Sequence, residues 1–270
     1  MNSGIVSALA VALLKILPGT KMALKNNKSL GQHWLKDREI LDDIADFSIS
    51  DVDLCLEIGP GLGTLTSSLL KRFDKVLAVE YDQRLAENLP KSFPGKNLEV
   101  INVDFLKFDL ESIKEPYVAV GNIPYYITSP IIMKLLETTN SPRKIVLLIQ
   151  KEVAEHIAAE DGRESVLSLS VKNRADVTLG PVVFKEFFTP PPKVDSQVII
   201  LEPHPPTVPE DTIKLIKRGF SAPRKKLAHN LGLPKEVTAK IFESLGINKD
   251  TRPADLDLSN WQNLQEIITK

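Results

Sequence analysis

The run Leu54-Cys55-Leu56-Glu57-Ile58-Gly59-Pro60-Gly61-Leu62-Gly63-Thr64 holds the first residues able to do chemistry. An apolar stretch of strand character enters a turn with glycines at 59, 61 and 63, and a helical pattern follows. Glycine lets the backbone approach a ligand closely, and the following helix N-terminus offers free N–H groups at its positive end. A nucleotide-like cofactor is the natural occupant, with a tight structural turn as the plainer alternative. A nicotinamide dinucleotide would want Gly-x-Gly-x-x-Gly, whereas alternate glycines after an acid at 57 suit S-adenosylmethionine better. Glu80 closes the next strand-like run, where a carboxylate can accept both ribose hydroxyl protons. Asp104, just past a third run, can accept a hydrogen bond from the adenine amino group of such a cofactor. Taken singly, both acids read as surface carboxylates; in register with the turn they favour a ligand.

The segment Gly121-Asn122-Ile123-Pro124-Tyr125-Tyr126 points to a reaction. An exocyclic aryl amine is a weak nucleophile because its lone pair is delocalised into the ring. If the Asn122 side-chain oxygen and the Ile123 backbone carbonyl each accept one N–H of that amine, its nitrogen is held nearer tetrahedral geometry. The lone pair then faces a methyl sulfonium. Pro124 fixes the turn, and Tyr125 offers a face on which an extruded base stacks. No strong general base is needed, because the methylated ammonium is itself acidic. The alternative is a proline turn with a core tyrosine.

Positioning these groups requires strands whose carboxyl ends meet. From about residue 52 to 202, short β-branched runs alternate with helical spacing. The expected strands are 54–58, 75–80, 98–102, 117–121, 145–150, 177–184 and 197–202, with helices over 62–72, 83–91 and 130–137. This alternation predicts an α/β fold with a parallel sheet covered on both faces, and an antiparallel hairpin at one edge. Glu202 to Pro209 contains four prolines in eight residues, which stops helix and strand alike and marks a boundary. Beyond it, helical spacing over 211–220, 224–231, 235–245 and 259–269 predicts a small helical domain. The expected division is an extension over 1–27, a core over 28–203 and a helical RNA-binding domain over 204–270.

The chain has 270 residues, 43 % hydrophobic and 26 % charged, which excludes a disordered polyelectrolyte, a collagen-like chain and a multi-span membrane protein. A single cysteine, Cys55, excludes an internal disulfide, and histidines at 33, 156, 204 and 229 match no zinc spacing, so no metal is expected. Net charge is −1, yet positive charge is clustered. Lys15, Lys21, Lys25, Lys28 and Lys36 precede the first acid, Asp37. Between Thr212 and Lys235 there is no carboxylate, and Lys217, Arg218, Arg224, Lys225 and Lys226 are the candidate RNA-phosphate contacts. Local clusters matter because attraction fades within a Debye length of about 8–10 Å; a solvated basic helix face is the alternative. The apolar run Ile5 to Leu17 is shorter than the ~20 residues of a membrane span, and no Lys or Arg precedes it as in a secretory signal. Residues 1–21 read as an extension with Met22 as the working initiator, and a cytoplasmic location is expected.

The chain resembles the bacterial small-subunit rRNA adenine dimethyltransferases, the KsgA family, from about Lys28 onward. The carrying stretches are Ser29-Leu30-Gly31-Gln32-His33-Trp34-Leu35, the Glu57 to Thr66 turn, Asn122 to Tyr125, Phe188-Thr189-Pro190-Pro191-Pro192-Lys193-Val194-Asp195-Ser196 and Phe220-Ser221-Ala222-Pro223-Arg224-Lys225-Lys226-Leu227. The resemblance implies a class I S-adenosylmethionine-dependent, Rossmann-like methyltransferase domain with a small C-terminal α-helical domain. It implies transfer of methyl groups to N6 of two adjacent adenines in a hairpin loop near the 3′ end of 16S rRNA, with the small ribosomal subunit as partner and a monomeric enzyme. By the same resemblance, His33, Leu35, Gly59, Gly61, Glu80, Asp104 and Asn122 would meet the cofactor. Ile123 and Tyr125 would complete the amine clamp, and Phe188 would sandwich the flipped adenine opposite Tyr125.

Three positions depart from the family pattern. Trp34 replaces a phenylalanine, His33 stands where a small polar residue is usual, and Ala222-Pro223-Arg224 is one arginine short of the common basic run. The Ile123 and Tyr126 spelling also occurs in 23S rRNA methyltransferases of the macrolide-resistance type, which are the enzymatic alternative. A non-catalytic rRNA-binding assembly factor is the alternative of another class.

Overall fold

The computed structural model describes residues 32–159 and 163–269. A two-residue strand, β1 (Trp34–Leu35), leads into helix α1 (Arg38–Phe47), which is capped by Asp37 accepting hydrogen bonds from the Glu39 and Ile40 N–H groups. Strand β2 (Leu54–Ile58) and helix α2 (Thr64–Leu69) follow, then β3 (Lys75–Glu80), α3 (Gln83–Ser92) and β4 (Leu98–Asn102). Next come β5 (Tyr117–Asn122), α4 (Thr128–Glu137), β6 (Ile145–Gln150), α5 (Lys151–Ile157) and α6 (Val166–Lys172). Strands β7 (Ala175–Val183), β8 (Phe188–Thr189) and β9 (Ser196–Pro203) complete the sheet-forming part.

Seven strands form one sheet in the order β4-β3-β2-β5-β6-β9-β7, while β1 and β8 pair separately. The first five are mutually parallel, and β9 enters antiparallel between β6 and β7. Strands buried on both faces read as continuous apolar runs, and all five residues of β2 are buried. Leu54, Leu56 and Ile58 pack in one core layer with Ile131 and Leu135 of α4. Cys55 belongs to the opposite layer, with Leu65 and Leu69 of α2 and Ile44 of α1. The chain winds outward from β2 to β4 and then returns to β5 on the other side of β2. In open α/β sheets this reversal opens a crevice at the strands' carboxyl ends, where Gly59 and Asn122 leave the sheet.

The expected hairpin forms, but its second strand lies inside the sheet and its first is the edge. Helices α1, α5 and α6 were not anticipated. The latter two are seven residues long, too short for a periodic apolar stripe to stand out, and α6 is started by a Ser165/Ser168 capping box. The helix expected over 62–72 shortens to α2 because the glycine turn runs through Gly63, whose φ of +81° is left-handed.

The C-terminal part comprises α7 (Glu210–Gly219), α8 (Leu227–Leu231), α9 (Lys235–Leu245) and α10 (Leu258–Ile268). Helix α8 starts at Leu227, not 224. The four helices pack around the fully buried Trp261, in a core that also takes Leu169 from α6. Further bonds tie this part to α6 and its flanks: Val208 N–H to Asn173 Oδ1 at 2.8 Å and Glu164 N–H to the Ala254 carbonyl at 3.1 Å. Among the described residues no helix is long and apolar enough to cross a membrane, and no group of three or more His, Cys, Asp or Glu could hold a metal ion.

Candidate active site

The carboxyl ends of β2, β3 and β5 open onto one cavity of about 350 Å³. Gly59, Gly61, Glu80, Asp104, Asn122, Ile123, Pro124, Tyr125 and His33 all border it. The glycine turn is held from both sides. The Gly59 N–H donates to the Val79 carbonyl at 2.9 Å, and a Cβ on Gly63 would lie 2.6 Å from Leu89 Cδ1. Gly61, at φ +58°, sits against the Trp34 indole.

Glu80 is 6 % exposed, and its two oxygens divide their roles. Oε2 accepts the Gly61 N–H at 3.0 Å and Oε1 accepts the Asp82 N–H at 2.8 Å. Burial pushes this carboxyl's pKa up, and the Asp82 and Gly61 N–H groups oppose the rise. Both oxygens retain lone pairs for a vicinal diol. Glu57, behind the turn, is more deeply buried, and burial raises it to about 8 with the Glu80 carboxylate adding to the effect. Thr66 pulls the other way, although neither its hydroxyl nor the Glu57 oxygens reach ordinary hydrogen-bond geometry. A buried carboxyl without such a partner on a cavity wall fits a ligand that brings a cationic or N–H group. Asp104 caps a short 3-10 turn, with Oδ1 accepting the Leu106 N–H at 3.0 Å and its carboxylate making no other hydrogen bond among the described residues.

Asn122 ends β5, and its Nδ2 donates to the His33 backbone carbonyl at 3.2 Å. A carbonyl can only accept, so this contact fixes which end of the carboxamide is nitrogen. Oδ1 is left without a partner among the described residues, and the Ile123 carbonyl takes no turn or loop hydrogen bond. Pro124, at φ −59° and ψ 134°, leads into the 3-10 turn Tyr125–Ile127. The Tyr125 hydroxyl pairs with Ser196 Oγ at 2.8 Å, and its ring lies within 19° of parallel to the His33 imidazole, 6.2 Å between centroids. Burial pushes the Tyr125 phenol up, Ser196 lowers it, and Asp195 raises it further.

Two of the expected site residues lie away from the cavity wall. Phe188 is 3 % exposed and Leu35 1 %; they face each other in the β1–β8 pair within the apolar core, and neither borders the cavity. Neighbours in a strand point to opposite sides, so Trp34 takes the cavity side and Leu35 the core. Four aromatic residues on the cavity wall were not among the expected site residues: Trp34, Tyr81, Phe105 and Tyr126, of which Tyr81 and Tyr126 are mostly exposed. Their signal was position, directly after His33, Glu80, Asp104 and Tyr125 in the sequence.

Lys217, Arg218, Arg224, Lys225 and Lys226 are all exposed, but they are less free than the sequence suggested. Arg218 donates to the Leu231 carbonyl, Lys225 Nζ lies 3.0 Å from His229 Nε2, and Lys226 pairs with Asp250, which is distant in sequence. Likewise Lys214 pairs with Asp211. Lys36 is exposed, whereas Lys15, Lys21, Lys25, Lys28 and the Ser29 to Gly31 part of the N-terminal motif lie outside the described residues.

The family described as "Ribosomal RNA adenine dimethylase" matches residues 23–270. The "Ribosomal RNA small subunit methyltransferase A" of Dehalococcoides mccartyi is 38 % identical over 255 residues, covering 89 % of this chain and 88 % of that protein. Among solved structures, a dimethyladenosine transferase from Plasmodium falciparum superposes with a TM-score of 0.75 at 30 % identity, covering 88 % of this chain and 98 % of its own. The 23S rRNA methyltransferase ErmE superposes at 0.72 and 28 % identity, covering 88 % and 100 %. The sheet order, the glycine turn and the Asn122 to Tyr125 loop thus sit in a chain that belongs to the ribosomal RNA adenine dimethylase family.

Proposed function

We propose that this protein transfers methyl groups from S-adenosylmethionine to N6 of two adjacent adenines in the 3′-terminal hairpin loop of 16S rRNA, giving N6,N6-dimethyladenosines during small-subunit biogenesis in the cytoplasm. The observation that carries the reading is the Asn122 carboxamide, oriented through Nδ2 so that Oδ1 is available as an acceptor beside the Ile123 carbonyl. Bound S-adenosylmethionine would supply a methyl group activated on its sulfonium, leaving as a neutral thioether, and the methylated N6 would give up its proton to solvent.

The chain's own groups do the rest. Gly59 and Gly61 would present backbone to the cofactor's amino-acid end, Glu80 would accept from its ribose hydroxyls, and Asp104 would accept from its adenine amine. Asn122 Oδ1 and the Ile123 carbonyl each take one N–H of the target amine, which restores the nitrogen lone pair. Tyr125 supports the extruded base. Catalysis is chiefly positioning and polarisation. The exposed cations at 217, 218 and 224–226 hold rRNA phosphates and orient the loop without naming the base. The enzyme acts as a monomer.

The test is transfer of labelled methyl to unmodified 30S particles, with 50S particles and duplex DNA as controls and the modified nucleotides mapped. Labelling confined to two adjacent adenines of 16S rRNA is expected. Labelling of 50S particles alone would favour the large-subunit activity named for ErmE, and none with intact cofactor binding would favour an assembly factor. Asn122→Ala should abolish transfer while S-adenosylhomocysteine still binds.

A further inference from the structure

We infer that His33 is a positioning residue for methyl transfer: its imidazole, anchored to Pro190, holds the main-chain carbonyl that orients Asn122 and braces the ring of Tyr125. The inference rests on the reading of the site just given.

Three segments far apart in sequence meet at this one residue. His33 Nδ1 lies 2.8 Å from the Pro190 carbonyl. Because that carbonyl only accepts, Nδ1 carries the proton, whichever state Nε2 is in. The His33 carbonyl takes the Asn122 Nδ2–H at 3.2 Å, and the His33 ring lies near-parallel to that of Tyr125. Asn122 and Tyr125 are the groups that would grip the amine and carry the base. The residue is half-buried on the cavity wall and only two positions before β1's buried Leu35, whose pairing with Phe188 brings the Pro190 loop alongside.

This arrangement has a consequence for the carboxamide. Among the described residues Asn122 has one contact that distinguishes its oxygen from its nitrogen, and it is to the backbone of His33. If the segment carrying that carbonyl drifts, the amide is free to rotate by 180° and present NH₂, a donor, to an amine that needs an acceptor. The Nδ1–Pro190 bond is the side-chain link that resists such drift. The role therefore belongs to the hydrogen bond more than to the ring, and a side chain with an N–H at similar reach should substitute for it.

The experiment compares wild type with His33→Ala, His33→Asn and His33→Phe on unmodified 30S particles, alongside calorimetric binding of S-adenosylhomocysteine and thermal melting. A tenfold to hundredfold fall in kcat is expected for His33→Ala, the scale of a small misplacement at a reacting centre, with a clearly smaller loss of affinity for S-adenosylhomocysteine. His33→Asn, which keeps an N–H donor, should recover kcat to within a few-fold. His33→Phe, which keeps a ring and loses the donor, should not. Products of His33→Ala should shift toward monomethyladenosine, because the second transfer begins from an amine with only one N–H left to orient. Unchanged kcat in His33→Ala overturns the inference, as does recovery by Phe and not by Asn. A loss of cofactor affinity or melting temperature matching the loss of kcat also overturns it, by showing a structural or cofactor role. Absence of methyl transfer by the wild type itself would instead overturn the proposed function.

Discussion

The Glu80 carboxylate accepts the Gly61 N–H at 3.0 Å, joining the end of β3 to the glycine turn that leaves β2. One side chain thus holds the cofactor turn in shape and presents the acceptor for a ribose. Glu80→Gln replaces one acceptor oxygen with NH₂, so either the Gly61 or the Asp82 N–H would face a donor. Hydrogen bonds to charged groups contribute about 1.5–3 kcal/mol, so affinity for S-adenosylhomocysteine should fall roughly ten- to hundredfold, as isothermal titration calorimetry would measure.

Glu57 makes stability depend on pH. Its pKa is raised from 4.5 to about 8 chiefly by burial, so the folded state binds its proton more tightly than the unfolded state does. The associated stability is fully present below pH 4.5 and is lost as pH rises through about 8. At about 1.4 kcal/mol per unit, the loss is of the order of 5 kcal/mol at most. Urea unfolding of ligand-free protein at pH 5, 7 and 8.5 should show the decline in wild type and a much flatter profile in Glu57→Gln. Equal slopes in the two would assign the decline to other groups.

The two functions of Tyr125 are separable. Tyr125→Phe removes only the bond to Ser196, worth about 1 kcal/mol, and should lower kcat/KM by no more than about fivefold. Tyr125→Ala removes the stacking face, worth about 1–3 kcal/mol per base, and should cost roughly ten- to hundredfold. Steady-state methylation of 30S particles would distinguish them.

Within the basic run, neighbours should differ. Lys226 is partnered by Asp250, whereas no ion pair engages Arg224 among the described residues. Each phosphate contact contributes about 0.7–0.9 to the slope of log K against log salt. Arg224→Ala should reduce the slope by about that amount and Lys226→Ala by clearly less, measured by filter binding of a 16S hairpin across salt concentrations.

The strand ends were legible in the sequence because a buried parallel strand cannot disguise itself: Leu54 to Ile58, Lys75 to Glu80 and Ile145 to Gln150 have the expected limits. That Gly59, Glu80, Asp104 and Asn122 border the cavity was legible for the same reason, since each ends or follows such a run and the crevice of an α/β sheet lies where the runs end. What local pattern could not convey was the side on which a residue of a two-residue strand points. The family resemblance alone put Phe188 and Leu35 at the site, and the structure puts both side chains in the core.

The sequence by itself determined the parallel sheet and the residue types gathered at the carboxyl ends of its strands, because these follow from local periodicity. The strand order, and with it the reversal between β2 and β5, is set by the tertiary structure. Only the tertiary structure decided that the His33 carbonyl meets Asn122, that Pro190 meets His33 and that Asp250 meets Lys226. Those contacts join residues up to 157 positions apart. Their formation depends on how layers pack against one another, which no window of neighbouring residues contains.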